Sequence, residues 1–349
     1  MDVFLGLSAT QKGVASSLTL EQLASARQGD TTHNSTIMQK DSNRHAADII
    51  LRSSDKESFH SWKIFLSMAS PVFSDMFTLP QADTSNNVDL RHDGPPVIDL
   101  PEDSCTLGHI LTLCHPPSCT RKQFKVNSVR ELGAVLEAAM KYDMENLRCV
   151  ALEELSNPLV LREDPVGVYA LACQHECHEA ARLAAKHTLA LPTLVREYVP
   201  VLEKIHAGKL CHLLLYREEC MKVACSLATD HTWIMYTRPL FGCGSWENEE
   251  GLEWTHVRNP PSRKYPRGRL EFMPVHKWWM EYMRKSGYAL QRWPHGDAVE
   301  DEKLVDEVLT AISTSKCKQC KALEVSETFR SFVDTFAGNI ERRVAEVRL

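Results

Sequence analysis

The feature that most constrains this chain is residues 59–77, where the spacing of apolar residues changes from strand to helix. Phe59 to Trp62 form a short run with the composition of a β-strand. Four apolar residues after this run recur at helical spacing, which predicts a helix with one apolar face to bury. They are Ile64, Phe65, Met68 and Ala69.

A second helix is predicted to begin at Ser70-Pro71. The Ser70 hydroxyl can cap free backbone N–H groups, and Pro71 fits the first helical position, where its missing N–H costs nothing. The apolar residues of this second helix are Val72, Phe73, Met76 and Phe77. The stretch therefore predicts a strand followed by two short helices.

Upstream, Asp48 to Leu51 is a second predicted strand, and Ser53 to Lys56 form a polar turn between the two strands. A turn of this length favours an antiparallel hairpin. Residues 80–96 are rich in turn formers and predict an exposed loop.

The order of these motifs resembles the BTB/POZ domain. The matching pieces are Asp-hydrophobic-hydrophobic-Leu, a polar turn, Phe-x-x-x-Lys-x-x-Leu, Ser-Pro-x-Phe-x-x-Met-Phe and the later Val-Ile-Asp-Leu-Pro. The resemblance covers residues 45–155 and implies an α+β protein-interaction fold, a small mixed sheet clasped by helices. It also implies that Val97 to Pro101 is the next strand of this sheet. The whole chain also looks like the BTB-type proteins that are abundant in mushroom-forming fungi.

The resemblance implies roles for five residues. Asp48 and Lys63 would meet as a charged pair near the dimer and ligand-groove surface, while Phe73, Met76 and Phe77 would lie chiefly in the core. This chain departs from the family by placing Trp62 where a histidine is usual. The alternative is that Lys63 is a solvated lysine at a helix start and that Asp48 merely flanks a strand.

The rest of the chain is predicted to be mostly helical. Four acidic or hydroxyl residues precede apolar periods and predict helix starts, namely Asp103, Ser128, Asp143 and Asp164. Further helices are predicted over residues 176–191, around residues 275–283 and over two stretches beyond residue 297. The predicted organisation is a mobile arm (1–44), the BTB/POZ-like unit (45–155), a helical extension (156–230) and a Trp-rich and helical C-terminal region (231–349).

Cysteine and histidine patterns give weak candidates for a metal site. Cys317 and Cys320 form a C-x-x-C that can supply two zinc ligands, whereas a structural site needs four. The other two ligands would come from residues without clean spacing: Cys220, Cys225, His231, Cys243 and His256. Two reduced cysteines are the alternative, so no cofactor is predicted beyond this possible zinc.

A basic run between Arg258 and Arg269 can contact phosphates, or it can be a solvated loop. The net charge of −6 and the absence of a nucleic-acid-binding motif favour the solvated loop. Irregularly spaced cysteines, no secretory signal and no long apolar segment predict the cytoplasm or nucleus and no membrane partner.

No signature of a hydrolase elbow, a phosphate loop or a dinucleotide-binding turn is present in the sequence. We therefore predict a non-enzymatic protein–protein interaction module that forms homo-oligomers or recruits protein partners. One alternative is a substrate adaptor of a cullin ubiquitin ligase, although residues 79–100 contain no glutamate for the hydrophobic-x-Glu motif of such adaptors. A second alternative is a zinc-stabilised, transcription-associated regulator.

Overall fold

A computed structural model describes residues 47–79, 94–116, 124–194, 198–235, 252–259, 261–265, 267–315 and 323–349. Several predictions lie outside these residues. They are the arm over residues 1–44, most of the loop over residues 80–96, and the cysteines Cys243, Cys317 and Cys320.

A three-stranded mixed sheet begins the described part of the chain. Strand β1 (Ile49–Arg52) pairs antiparallel with β2 (Ser58–Ser61) and parallel with β3 (Val97–Asp99), so β1 is central. Both the predicted hairpin and the third strand are confirmed. Ile49 and Leu51 point inward and are fully buried.

Helices make up most of the remaining described residues. In chain order they are α1 (Lys63–Ala69), α2 (Pro71–Thr78), α3 (Ser104–Cys114), α4 (Val129–Lys141), α5 (Glu145–Glu154), α6 (Pro158–Glu163), α7 (Pro165–Gln174), α8 (His178–Thr188), α9 (Ala207–Thr229), α10 (Lys277–Arg292), α11 (Glu302–Thr314) and α12 (Leu323–Val344). The predicted fold class, a small mixed sheet with helices followed by a mostly helical region, is confirmed.

Most of the predicted helix starts form as their cap residues require. The side chains of Asp103, Ser128 and Asp164 each accept a hydrogen bond from a backbone N–H in the first turn of α3, α4 and α7. The prediction for Asp143 is wrong, because Met144 is the N-cap of α5 and Asp143 itself turns the chain with a φ of +50°.

The sheet and the first helices share one core. Leu66 of α1, Leu107 and Ile110 of α3, and Leu132 and Val135 of α4 are all fully buried. The core is continuous with that of the later helices, and α7 is buried on every face. The sheet therefore shares a buried core with α1, α3 and α4.

The Trp-rich region contains a β-hairpin that the sequence analysis missed. Strands β4 (Leu252–Arg258) and β5 (Leu270–His276) pair antiparallel, and the predicted basic run belongs to their connection. The Arg258 side chain donates hydrogen bonds to the carbonyls of Thr232 and Arg267. This arginine of the basic run therefore stabilises the local structure. The helix predicted around residues 275–283 begins only where β5 ends.

Aromatic rings form the centre of the C-terminal half. Trp279 and Tyr282 of α10 contact Phe332 of α12, and the Tyr282 hydroxyl donates to the carbonyl of Val299 at 2.8 Å. The last helix therefore packs on the body, as its apolar stripe predicts. In the residues described, no helix combines the length and apolar character needed to cross a membrane.

Candidate interaction surface

Helix α1 begins directly after β2, where its own sequence offers no cap. Trp62 occupies the N-cap position, and its side chain makes no capping hydrogen bond. The carboxylate of Asp48 instead accepts a hydrogen bond from the backbone N–H of Lys63 at 2.7 Å. Asp48 thus caps α1 from the start of β1, where a negative charge is also favoured by the helix dipole.

Asp48 and Lys63 meet, but not as the charged pair that the family resemblance implied. The Lys63 ammonium lies 5.8 Å from the centre of the Phe77 ring. Among the described residues, no ion pair within 4.0 Å joins the side chains of Asp48 and Lys63. The contact is therefore a helix cap through the backbone of Lys63, and its lysine side chain is free to take part in a cation–π contact.

Ser70 and Phe73 fix α2 to the core. The buried Ser70 hydroxyl accepts from the N–H of Phe73 at 3.1 Å and donates to the carbonyl of Tyr142 at 2.5 Å. The Phe73 ring is fully buried and stacks on the Tyr142 ring at 4.7 Å. Phe77 stacks on Phe73 in turn, and both Phe77 and Met76 are half-buried against the same core. These three residues therefore lie in the core or against it, where the family resemblance places them.

The outward face of α1 is apolar. Ile64 is 59% exposed and Met68 is 79% exposed, whereas Leu66 between them is fully buried. Residues four positions apart lie on the same side of a helix, so Ile64 and Met68 form one patch. The prediction that α1 buries its whole apolar stripe is wrong for these two residues, because the core contacts Leu66 on the opposite side.

His115 ties the end of α3 to β2 close to α1. Its Nδ1–H donates to the carbonyl of Leu111 at 2.7 Å, and its Nε2 accepts from the Ser61 hydroxyl at 3.1 Å. The Trp62 and Phe65 rings contact the imidazole edge-on. Burial lowers the pKa of His115, which matches a neutral ring with one donor and one acceptor nitrogen.

The histidine and cysteine candidates that are described serve other contacts. His231 is buried and uses both ring nitrogens, one with the Thr255 hydroxyl at 2.8 Å and the other with the Ala228 carbonyl at 3.0 Å. His256 contacts the ring of Phe272 on the exposed face of the hairpin. Within the described ranges, neither histidine groups with enough ligands for a metal.

A different set of side chains comes close enough to share one metal ion within the described part of the chain: Cys105, His109 and Glu131. The sequence analysis missed this set. Cys105 and His109 are four residues apart on a predicted helix, and Glu131 is the last residue of a predicted capping box, so the signal was split between two elements.

Comparison with protein families matches residues 38–159 to the BTB/POZ domain. The match starts ahead of β1 and ends in α6, so it includes the sheet and helices α1–α5. No curated protein matches the chain.

Proposed function

This chain contains a BTB/POZ domain at residues 38–159, and from that premise we propose that it forms homodimers through the outward face of α1. BTB/POZ domains are protein–protein interaction modules and not, as a rule, enzymes, and we propose no catalysis for this chain. The proposal of a dimer rests on one observation: the apolar side chains of Ile64 and Met68 are exposed on one face of α1, while Leu66 is buried in the core.

The fold fixes both ends of α1, the helix that carries these two side chains. Asp48 fixes the start of α1, and the Ser70 hydroxyl bonds to both α2 and the end of α4 just after α1 ends. A preorganised surface loses little conformational freedom when a partner covers it, which favours association. Residues that are exposed only because a helix is mobile would lack this advantage.

The free energy available from burying this face is modest. Complete burial of one Ile or Met side chain is worth about 1.5–3 kcal/mol. A two-fold dimer buries each side chain twice, once in each protomer. Association costs about 4–15 kcal/mol, so the interface needs further apolar surface. Val72 on α2, Leu79 just after α2 and Val97 on β3 are further exposed apolar side chains of the same domain.

The test is the mass of the full chain in solution, measured by size exclusion with light scattering. The wild type is expected at twice the 39.5 kDa of one chain. Met68→Lys places a charge at the centre of the interface, where loss of two buried side chains weakens the dimer at least about 100-fold. This variant is expected to elute at the mass of one chain.

Met140→Lys is the matched control. Met140 is 58% exposed, and both Met68 and Met140 lie in the last turn of a helix, where lysine is favoured by the dipole. The control is expected to stay dimeric. A monomeric wild type at about 100 μM, or equal effects of both substitutions, would refute the proposal.

Partner recruitment is the other role predicted from the sequence, with a cullin ubiquitin ligase as the specific alternative. The loop that would hold the recruiting motif contains no glutamate, and most of it lies outside the described residues. Co-purification of the full chain with a cullin scaffold separates the two roles, and we expect no complex. A location in the cytoplasm or nucleus stays a prediction.

A further inference from the structure

Cys105, His109 and Glu131 form a compact cluster where α3 packs against α4. Cys105 and His109 lie one helical turn apart on α3, and Glu131 lies in the first turn of α4. The Cys105 thiol and the His109 Nε2 both lie within hydrogen-bond reach of one carboxylate oxygen, Glu131 Oε1, at 2.8 and 2.7 Å. The sulfur and the imidazole nitrogen are 3.9 Å apart.

The surroundings orient the ligand atoms. The other carboxylate oxygen of Glu131 accepts from the backbone N–H of Asn127 at 2.8 Å, and the His109 ring contacts the edge of the Phe124 ring at 5.1 Å. Outer contacts of this kind fix the orientation of metal ligands. The side chains of His109 and Glu131 are each only 13% exposed, while Cys105 is exposed and leaves a path from solvent.

The hydrogen bonds that Glu131 accepts favour the charged form of its carboxylate. Burial raises the pKa of Glu131, but hydrogen bonds from Cys105, His109 and the Asn127 N–H together lower it further than burial raises it. A thiol, an imidazole and a carboxylate therefore meet in one cluster, and within the described residues no lysine or arginine forms an ion pair with Glu131.

The distances suit a small tetrahedral ion. Around zinc, bond lengths of about 2.0–2.3 Å place neighbouring S, N and O ligands about 3.4–3.6 Å apart. The sulfur and nitrogen already approach this separation, and the carboxylate oxygen needs an outward movement of under about 1 Å. Sulfur, nitrogen and oxygen ligands in one site favour zinc over calcium or magnesium, which prefer oxygen alone.

We propose that Cys105, His109 and Glu131 bind one Zn²⁺ ion, with the fourth position open to water or to another ligand. Binding releases the Cys105 thiol proton to solvent and uses the lone pair of His109 Nε2, whose ring proton then lies on Nδ1. A thiolate and a carboxylate balance the two positive charges of the ion, so the filled site is neutral. The site is independent of the proposed dimer surface and of Cys317 and Cys320.

The test is zinc stoichiometry of the full chain after chelation, reloading with zinc and exhaustive dialysis. The wild type is expected to retain one equivalent of zinc more than Cys105→Ser and His109→Gln. Loss of a mere outer contact weakens metal binding about 10–100-fold, so loss of a ligand is expected to weaken it at least that much. Reloading with Co²⁺ reports a thiolate ligand directly through its sulfur-to-metal charge-transfer absorption.

Cys149→Ser is the matched control, because Cys149 is also exposed and its thiol also lies near a carboxylate, that of Glu145 at 3.5 Å. This variant is expected to keep the extra equivalent and the cobalt absorption. Circular dichroism checks that each variant is folded. Equal zinc content in the wild type and Cys105→Ser, or a charge-transfer band that persists in Cys105→Ser, would overturn the proposal.

Discussion

The face of α1 and the cluster between α3 and α4 lie in the same domain and differ in how their side chains are satisfied. The side chains of Ile64 and Met68 have no strong hydrogen-bonding group, so their exposure to water remains unfavourable until another apolar surface covers them. Cys105, His109 and Glu131 already bond to one another. Their hydrogen bonds make the cluster stable by itself.

The difference indicates what each surface can bind. An apolar face gains from a partner of similar character at any pH, because no charge changes. A bonded polar cluster gains only from a ligand that replaces its hydrogen bonds with stronger ones, and a metal ion does so while releasing a proton. Substitutions that act on one surface and spare the other therefore separate the two proposals.

The largest expected effect comes from the core of the domain that carries the apolar face. Phe73→Ala removes a fully buried ring and leaves a cavity against Tyr142, so the free energy of unfolding is expected to fall by about 3–5 kcal/mol. Urea denaturation followed by circular dichroism measures this change. Phe272→Ala, at a ring 56% exposed on the β-hairpin, is the control and is expected to cost about 1 kcal/mol or less. Similar losses in both variants would contradict this account of Phe73.

A smaller effect comes from the same substitution at two helix caps, one beside each surface. Ser70→Ala removes a cap and leaves the buried carbonyl of Tyr142 without its donor, at a cost of about 1–3 kcal/mol. Ser128→Ala removes only a partly exposed cap of α4, at a cost of about 1 kcal/mol. Denaturation midpoints compare the two, and a larger loss at Ser128 would show that the bond to Tyr142 contributes nothing.

The smallest expected effect is a dependence on pH. Burial lowers the pKa of His115 in the folded chain. As the pH falls below the ordinary histidine pKa of about 6.5, His115 therefore binds a proton in the unfolded chain before it does so in the folded chain. His115 thus contributes no pH dependence above that value, and stability falls as the pH decreases from there towards the folded pKa. Unfolding at pH 7.5 and 5.5 is expected to differ more in the wild type than in His115→Gln. Equal differences would show that other groups, such as the buried His175 and His231, account for the whole effect.

The sequence predicts those parts of the fold that are decided locally. Ser70 and Ser128 each precede apolar residues at helical spacing, which is a local signal for an N-cap, and each caps a helix in the structure. Asp143 has the same chemistry but turns the chain with a positive φ, because the α4–α5 turn requires that conformation there. The hairpin β4–β5 was missed because its connection carries prolines and charges and because Pro274 lies inside β5.

The sites were harder to predict because they depend on contacts between distant elements. The helical spacing of Ile64, Phe65, Met68 and Ala69 predicts that this side of α1 is buried, whereas the core contacts the side of Leu66. The family motif predicts that Asp48 and Lys63 are in contact. It does not show whether the donor is the backbone N–H of Lys63 or its side-chain ammonium. Cys105 and Glu131 are 26 positions apart, and only the packing of α3 on α4 brings them together.

The cap that Asp48 provides has a consequence for the stability of α1. A helix of seven residues is too short to persist in water without tertiary support. Helix α1 is tied at its start to a carboxylate that is positioned by pairing of β1 with β2, since the Asp48 N–H bonds to the carbonyl of Ser61. The apolar patch on α1 is therefore stable only together with the hairpin, and loss of the β1–β2 pairing would also remove the cap of α1.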